Sequence, residues 1–561
     1  MKKILFVCCW LLGTWQLNAQ WVAYSPVLGA ATDTSVKIMF FTNAPTELTV
    51  QLSRQADFQQ IDRQYSLSSD PKLYNRVLVD AAGLQPATTY HYRIMVNGQA
   101  DARQGYFKTF PPAGTRQHYV IATGSCQETP NMKVFNVMAD AKPDILIHTG
   151  DWSYPDYMIP GYPHDDSSVF RGYVKRYTEK EMEKMLPYTF TDYVGDNHDG
   201  VGASAHRHVK RAAYKKEGKK VINYMVTDST QDSIRRRILK GYYDMYPHYP
   251  MVDTSRGCYH SFVMGNSEIF FLDTRADACF PPDAFKYDST KNLWSFKPDS
   301  NHKIISDAQM DWLKQGLKNS TADWKFIVMG VPFNKNLIHL VNLGIHMQDL
   351  LVSAGGETGT GFRLALSWSF YWNGYPASQN ELLGFIKQNN LKDIIVLSGD
   401  THHNVMDDGR NAGLPEINAS GLSVTGTVLA HYMNLIGRLA GYPKMKRYAW
   451  NGGGNGLGNK NYKNAYGRVD IYGNESAKLS LVDEDGQEIS AIHLKHSSQP
   501  GYKPLPERKP HYIRRVERIS FHKKPTFRLR FVKAMGRAFM NPEKKENKKQ
   551  KKGKKGQIDL D

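Results

Sequence analysis

Residues 143–154 read PDILIHTGDWSY. An apolar run of strand length breaks at Gly150 and delivers Asp151, with Tyr154 three residues later. Open α/β sheets place their chemistry just beyond the carboxyl ends of buried strands. A phenol oxygen beside such a carboxylate suits a hard, strongly Lewis-acidic cation. Taken alone, GDxxY also describes a helix N-cap or a turn aspartate. Three further clusters bear on the choice. GSCQ sets Cys126 directly after HYVIAT, VGDNHDG carries Asp196, Asn197, His198 and Asp199, and LSGDTHH sets Asp400 and His402 after DIIVLSG. Singly, each has a plain explanation: a small buried cysteine, an acidic turn, a structural histidine. Chance poorly explains all four in order, each with a glycine nearby and each after an apparent strand or turn.

Together these residues make a binuclear metal site. Asp151 can bridge two ions through its two oxygens. Tyr154 as phenolate and Cys126 as thiolate are anionic donors suited to a trivalent ion, because charge must be neutralised in a low-dielectric cleft. His402 adds a neutral nitrogen. Asn197 and Asp400 supply oxygens for a second, harder divalent ion. Two close metals can clamp a phosphate, activate a water or hydroxide and stabilise the departing alkoxide. His198, following a metal-binding Asn, stands where a general acid or a phosphate-binding donor would.

The elements that must position them change character along the chain. From about residue 21 to 112 the pattern is all-β, with short alternating segments at 36–41, 47–52, 76–79 and 89–96. The segment GLQPATTYHYRI, followed by Gly98 and GYFKTFPP, resembles the end of a fibronectin type III-like sandwich, in which Tyr90 would anchor a strand corner. Pro111, Pro112, Ala113 and Gly114 read as a linker. Beyond it, apolar runs at 118–122, 144–149, 269–272, 325–330 and 393–397 alternate with amphipathic stretches such as 307–317 and 379–389, which predicts an α/β domain. Strand-like segments from 466 to 494 are expected to close its sheet. The Gly-rich runs GGETGTG (from Gly355) and GGGNGLG (from Gly452) lack the Lys-Ser/Thr of a phosphate loop and read as loops that could border a site.

The order SCQ, GDxxY, DxHD, LDTR and LSGDxH resembles the alkaline phosphatase D (PhoD-like) branch of the metallophosphoesterases. QMDWLKQGL, VMGVPF and YWNGYP strengthen the resemblance, which spans roughly residues 20 to 480. It implies an α/β fold, a four-layer αββα metallophosphoesterase sandwich preceded by an all-β fibronectin type III-like domain. It also implies iron(III) beside a divalent ion, calcium first, with zinc, manganese or magnesium as alternatives. Cys126, Asp151, Tyr154 and His402 would hold the iron, and Asp151, Asn197 and Asp400 the second ion, with His198 facing the substrate. Arg275, in LDTR, would contact phosphate or instead pair with Asp273 or another neighbour. The chain departs from the family in three places. The usual DDHD or DDHE is Asp196-Asn197-His198-Asp199, Ala203 and Ser204 occupy the region of a frequent Asn, and Phe370 or Tyr371 replaces an acidic residue before WNGY. His206, His208 and His403 could compensate but are not assigned to the site, and the second metal and the substrate stay open.

With 561 residues, two or more domains are expected. Lys2, Lys3, the apolar run at 4–12 and a cleavage point after Ala19 read as a secretory leader, too short to span a bilayer. The expected division is a leader at 1–19, the β-sandwich at 20–112, the catalytic domain at 115–495 and a basic tail at 505–561. Cys126, Cys258 and Cys279 remain after the leader. Cys258 and Cys279 flank a hairpin signal at Gly265-Asn266, which leaves open a disulfide or two free thiols. Of the net charge of +18, the segment from Leu505 onward carries +13, from 19 Lys/Arg against 6 Asp/Glu. Its end, KKENKKQKKGKKG, has no aromatic residue to stack a base, so no nucleic-acid readout is expected. An anionic cell-envelope surface, or no partner at all, fits it better. The sequence therefore predicts an exported (periplasmic or secreted) phosphoesterase without a transmembrane segment in the mature chain. It would hydrolyse phosphate mono- or diesters by metal-activated hydroxide attack. The rival readings are a purple acid phosphatase-like monoesterase and a non-catalytic envelope-binding protein with a degenerate metal site.

Overall fold

A computed structural model describes residues 20–128, 132–154, 165–199, 210–217, 220–227, 230–288, 290, 293–346, 365–424, 449–453 and 463–507. The leader, Ala203, Ser204, His206, His208, the loop at 355–361, residues 454–458 of the second Gly-rich loop and the tail beyond 507 lie outside them.

Strands dominate the first hundred described residues: β1 (Val27–Gly29), β2 (Ser35–Phe41), β3 (Glu47–Ser53), β4 (Arg63–Ser68), β5 (Arg76–Ala82), β6 (Thr89–Val96), β7 (Gln99–Ala100) and β8 (Gly105–Lys108). In β6 every second residue is buried, the period-2 pattern of a strand with one face on a core. Strands β4, β3, β6 and β7 form a sheet to which β8 adds on β6. Tyr90 is buried at its corner, and its hydroxyl accepts the Gln85 N–H at 3.0 Å.

After the linker come β9 (His118–Gly124), α1 (Lys133–Ala141), β10 (Ile145–His148), α2 (Asp166–Tyr177), β11 (Phe190–Tyr193), the hairpin of β12 (Lys210–Glu217) and β13 (Lys220–Thr227), and α3 (Thr230–Met245). Next are β14 (His260–Met264), β15 (Ser267–Leu272), the hairpin of β16 (Phe285–Asp288) and β17 (Leu293–Phe296), α4 (Asp307–Asn319), β18 (Trp324–Met329), α5 (Ile338–His346) and α6 (Pro376–Gln388). The remaining strands are β19 (Ile394–Ser398), β20 (Asn404–Asp408), β21 (Pro415–Ala419), β22 (Gly452–Gly453), β23 (Ala465–Tyr472), β24 (Ser476–Asp483) and β25 (Glu488–Lys495).

Two large sheets result. One has nine strands in the order β25-β24-β23-β9-β10-β11-β1-β2-β5, and the other seven in the order β14-β15-β18-β19-β21-β20-β22. Strands β9, β10 and β11 run parallel, as do β15, β18, β19 and β21. The first sheet crosses the linker: β1 pairs in parallel with β11 through Leu28 and Phe190. Strands from before and after Pro111 thus share one hydrogen-bonded sheet.

Strand alternation sorts the core into layers. Ile121, Ile145 and Ile147 of the first sheet meet Ile269, Phe326, Val328, Ile395 and Leu397 of the second in one cluster. Their odd–even neighbours face outward: Ala122 and Leu146 onto Val134, Phe135, Met138, Tyr173 and Tyr177, and Phe270, Ile327 and Val396 onto Met310, Leu313, Leu317, Leu382 and Ile386. Because these runs are buried on both faces, they read as continuous apolar segments. Helix α4 shows why its segment is helical. Ser306 caps it by accepting the Gln309 N–H, Asp307 sits in the first turn, Lys318 in the last, and Met310, Leu313 and Leu317 recur at helical spacing on the buried side.

The predicted hairpin is present as β14 and β15, but the disulfide is not. All three described cysteines are free thiols. The Cys258 sulfur faces Asp273 Oδ2 at 3.6 Å, whereas Cys279 turns to the Asn301 carbonyl at 3.3 Å. Each sulfur faces its own oxygen partner. Among the described residues no helix is long and apolar enough to cross a membrane.

Candidate metal centre

The candidate donors gather where parallel strands of both sheets end. Cys126 follows β9, Asp151 and Tyr154 follow β10, Asp196 to Asp199 follow β11, Arg275 follows β15, and Asp400 and His402 follow β19. The loops bend sharply there. Cys126 (φ 63°), Asp151 (φ 59°), Tyr154 (φ 38°), Asp400 (φ 68°) and His402 (φ 54°) all adopt left-handed backbone conformations. Such conformations cost of order 1–3 kcal/mol each in non-glycine residues and persist only where the surroundings enforce them. Gly150 makes the approach of two of these loops feasible. Its φ is 102°, and a Cβ there would overlap the Asp196 Cβ.

Two donor sets form, sharing one residue. Ligand atoms of Cys126, Asp151 and His402 lie within 4.8 Å of one another, and so do those of Asp151, Asp196 and Asp400. Asp151 is fully buried and belongs to both. Its Oδ2 accepts the Tyr154 hydroxyl at 2.8 Å and lies 3.5 Å from the Cys126 sulfur, while its Oδ1 accepts the His198 backbone N–H at 3.0 Å. The His198 ring stacks on the Tyr154 ring, with centroids 4.3 Å apart. Asn197 adjoins Asp196, and its buried Oδ1 has no hydrogen-bond partner among the described residues. The same holds for Asp196 Oδ2 and His402 Nδ1. His403 is buried beside His402 and belongs to neither donor set.

The site's electrostatics describe a cluster whose acidic groups outnumber the positive charge of Arg275. Burial, then repulsion from Asp196 and Asp400, pushes the Asp151 carboxyl well above the usual carboxylate range. Burial followed by Asp196 does the same to Asp400, although Arg275 opposes it. The Cys126 thiol and the Tyr154 phenol are raised by burial and then by Asp151. Burial, His403 and His198 lower His402 to about 4, which leaves a neutral imidazole lone pair at neutral pH. A bound cation reverses this logic, favouring thiolate, phenolate and carboxylate. The donor chemistry and the three orphaned acceptor atoms fit a pair of cations sharing Asp151.

Arg275 does not take Asp273 as its side-chain partner. Only its backbone N–H reaches Asp273, while its guanidinium pairs with Asp196 at 2.5 Å and Asp400 at 3.0 Å. Sequence reasoning assigned no role to Asp199, Ser420 or Arg176. The Asp199 carboxylate collects the N–H groups of Asp151, Trp152, Ser153 and Asp196 at 2.6–3.1 Å. The Ser420 hydroxyl lies 3.2 Å from the Cys126 sulfur and accepts the His402 N–H at 2.9 Å. Arg176 is buried against the Tyr154 ring, 5.8 Å from its centroid, and donates to the Trp152 carbonyl. Asp199 was visible as the last residue of the DNHD run, but nothing local marks Ser420 or Arg176. Tyr371 stands near Asp400 and Arg275; its phenol is raised by burial and then by Asp400.

Known proteins share this arrangement of strands. A purple acid phosphatase isolated from yellow lupin (Lupinus luteus) seeds superposes with a TM-score of 0.51 at 10% identity, over 85% of this chain and 75% of its own. The solved structure of PhoD superposes with a TM-score of 0.59 at 17% identity, over 86% of this chain and 94% of its own. At these identities the likeness concerns the fold. In sequence, alkaline phosphatase D of Bacillus subtilis (strain 168) is 25% identical over an alignment of 371 residues that covers 63% of this chain. The chain spans 57% of the length of that curated relative. The family model described as PhoD-like phosphatase matches residues 212–428, a range that holds Arg275, Asp400 and His402. Over residues 212–428 the chain is thus similar in sequence to the PhoD-like phosphatases, and its strand order matches the solved structure of PhoD.

Proposed function

We propose that the protein is an exported, metal-dependent phosphoesterase of the alkaline phosphatase D type. The observation that carries this reading is the sharing of Asp151 between two donor sets whose atoms lie within 4.8 Å. In this reading Cys126, Asp151, Tyr154 and His402 hold iron(III), and Asp151 and Asp400 hold a divalent ion, calcium first, with Asn197 or Asp196 completing the set. Two cations in such a site supply charge neutralisation for a phosphate and a nucleophile from water at neutral pH.

The chain's own residues do the rest. Water attacks phosphorus in line and gives up a proton to solvent, the bond from phosphorus to the leaving oxygen breaks, and that oxygen takes up a proton from solvent. His198 faces the substrate. Burial lowers its pKa first of all, against the pull of Asp196 and Glu128, so the imidazole is neutral in alkaline solution. It then serves as a hydrogen-bond donor to the phosphate or the leaving oxygen rather than as a cationic acid. Tyr154 packs on the His198 ring and fixes its plane. The substrate is a phosphate mono- or diester.

The leader at 1–19, the fibronectin type III-like character of 20–112 and the catalytic span of 115–495 belong to the same proposal. So does an attraction of the basic tail to an anionic envelope surface. A purple acid phosphatase-like monoesterase is the second reading, favoured by the shared fold and opposed by the thiol of Cys126. Elemental analysis of purified protein, paired with a panel of phosphate monoesters and diesters, tests the proposal. Iron with a second metal and metal-dependent hydrolysis, both lost in Asp151→Asn, are expected. Hydrolysis unchanged in that variant would overturn the proposal, and an optimum in acid solution would select the second reading.

A further inference from the structure

The second donor set brings three carboxylates together, those of the buried Asp151 and Asp196 and the half-buried Asp400. Like charges at such distances repel strongly in a low-dielectric site, so nothing in the carboxylates themselves holds them in place. One guanidinium spans two of them. Arg275 Nε meets Asp196 Oδ1 at 2.5 Å, and a terminal nitrogen of the same group meets Asp400 Oδ2 at 3.0 Å. The base of this side chain is anchored as well. The Arg275 N–H donates to Asp273 Oδ1 at 3.0 Å, and the Asp273 carboxylate also accepts the N–H groups of Ala276 at 2.8 Å and Cys258 at 3.1 Å. The Asp273 N–H in turn donates to Gln309 Oε1 on α4 at 2.8 Å. The clamp is therefore tied to a helix on the far side of the second sheet.

One detail decides what the clamp does. Arg275 uses one oxygen of Asp196 and leaves the other, Oδ2, buried and without a partner among the described residues. A guanidinium standing in for the divalent ion would leave no such acceptor idle. We infer that Arg275 is a positioning residue for the second cation, holding Asp196 and Asp400 side by side so that Asp196 Oδ2 is presented to the ion. This inference rests on the reading that a divalent ion binds at Asp151, Asp196 and Asp400. A lysine at 275 would not replace the clamp, because an ammonium is a point charge without the planar fork that reaches two carboxylates.

The test is calorimetric titration of the metal-stripped full-length protein with calcium chloride, and separately with manganese chloride, in wild type, Arg275→Lys and Arg275→Met. Circular dichroism and thermal melting report whether each variant is folded. Loss of a residue that orients a ligand weakens metal affinity by roughly 10–100-fold, and a loss of that size is expected in both variants. Added guanidinium ion should restore part of the affinity of Arg275→Met, which a general loss of structure would not permit. Equal or tighter binding in Arg275→Met would overturn the inference and make Arg275 a competitor of the cation. Absence of any divalent-ion binding in wild type would overturn the underlying functional reading instead, and the inference with it.

Discussion

The Asp199 carboxylate accepts the backbone N–H of Asp151 at 2.6 Å, although the two residues are 48 positions apart. The same carboxylate takes the N–H groups of Trp152, Ser153 and Asp196, so a single side chain shapes the loop that presents the shared ligand. Each buried donor left without an acceptor costs roughly 1–3 kcal/mol. Asp199→Ala should therefore lower the unfolding free energy by several kcal/mol and weaken retention of both metals. Urea denaturation measures the first effect and elemental analysis the second. A loss below about 1 kcal/mol would mean that water takes over the carboxylate's role.

Tyr154 and Cys126 both lie against Asp151 Oδ2, the phenol at 2.8 Å and the thiol at 3.5 Å. A phenolate bound to iron(III) absorbs visible light by charge transfer from oxygen to metal. The iron-loaded protein is expected to be coloured, and Tyr154→Phe should bleach it while iron is retained. Cys126→Ser should keep the colour but shift the band, because an alkoxide or hydroxyl is a poorer donor than a thiolate. A visible spectrum identical in wild type and Tyr154→Phe would remove the tyrosine from the ligand set.

Glu416 gives a pH dependence away from the metal ligands. It is buried on β21, accepts the Phe333 N–H at 2.8 Å and the Ser398 hydroxyl at 2.6 Å, and burial raises its carboxyl from 4.5 to about 8. The folded state thus keeps a proton that the unfolded state gives up at lower pH. Its contribution to stability is complete below about 4.5 and is lost as pH rises through about 8. Measured by denaturant unfolding between about pH 5 and pH 9, the stability of wild type relative to Glu416→Gln should fall with increasing pH. Parallel curves for the two proteins would show that Glu416 does not change its proton occupancy on folding.

The three free thiols among the described residues allow a direct count. Alkylation in denaturant without reductant, followed by mass spectrometry, should label Cys126, Cys258 and Cys279 alike. In native protein Cys279, which is partly accessible, should react first, and the buried Cys126 and Cys258 slowly or not at all. Protection of Cys258 and Cys279 together in denaturant would reinstate the bridge between them.

Which donors exist, and that they follow strands, was legible from the chain alone. Apolar runs that end in Gly and an acidic or sulfur donor are local patterns, and β9, β10 and β19 begin and end near where those patterns predict. The strand segments before Pro111 were equally readable, because alternation along β2, β3, β5 and β6 is a property of neighbouring residues. Tertiary structure alone decided how the pieces meet. It joined β1 to β11 across the linker, brought Asp196 into the second donor set, and gave Asp199 and Ser420 their partners. It also set Arg275 against carboxylates 79 and 125 residues away rather than against its neighbour Asp273. The physical reason is one of range. Periodicity and turn chemistry are settled within a few residues, whereas hydrogen bonds, ion pairs and shared ligands depend on which strand ends the sheet topology places side by side.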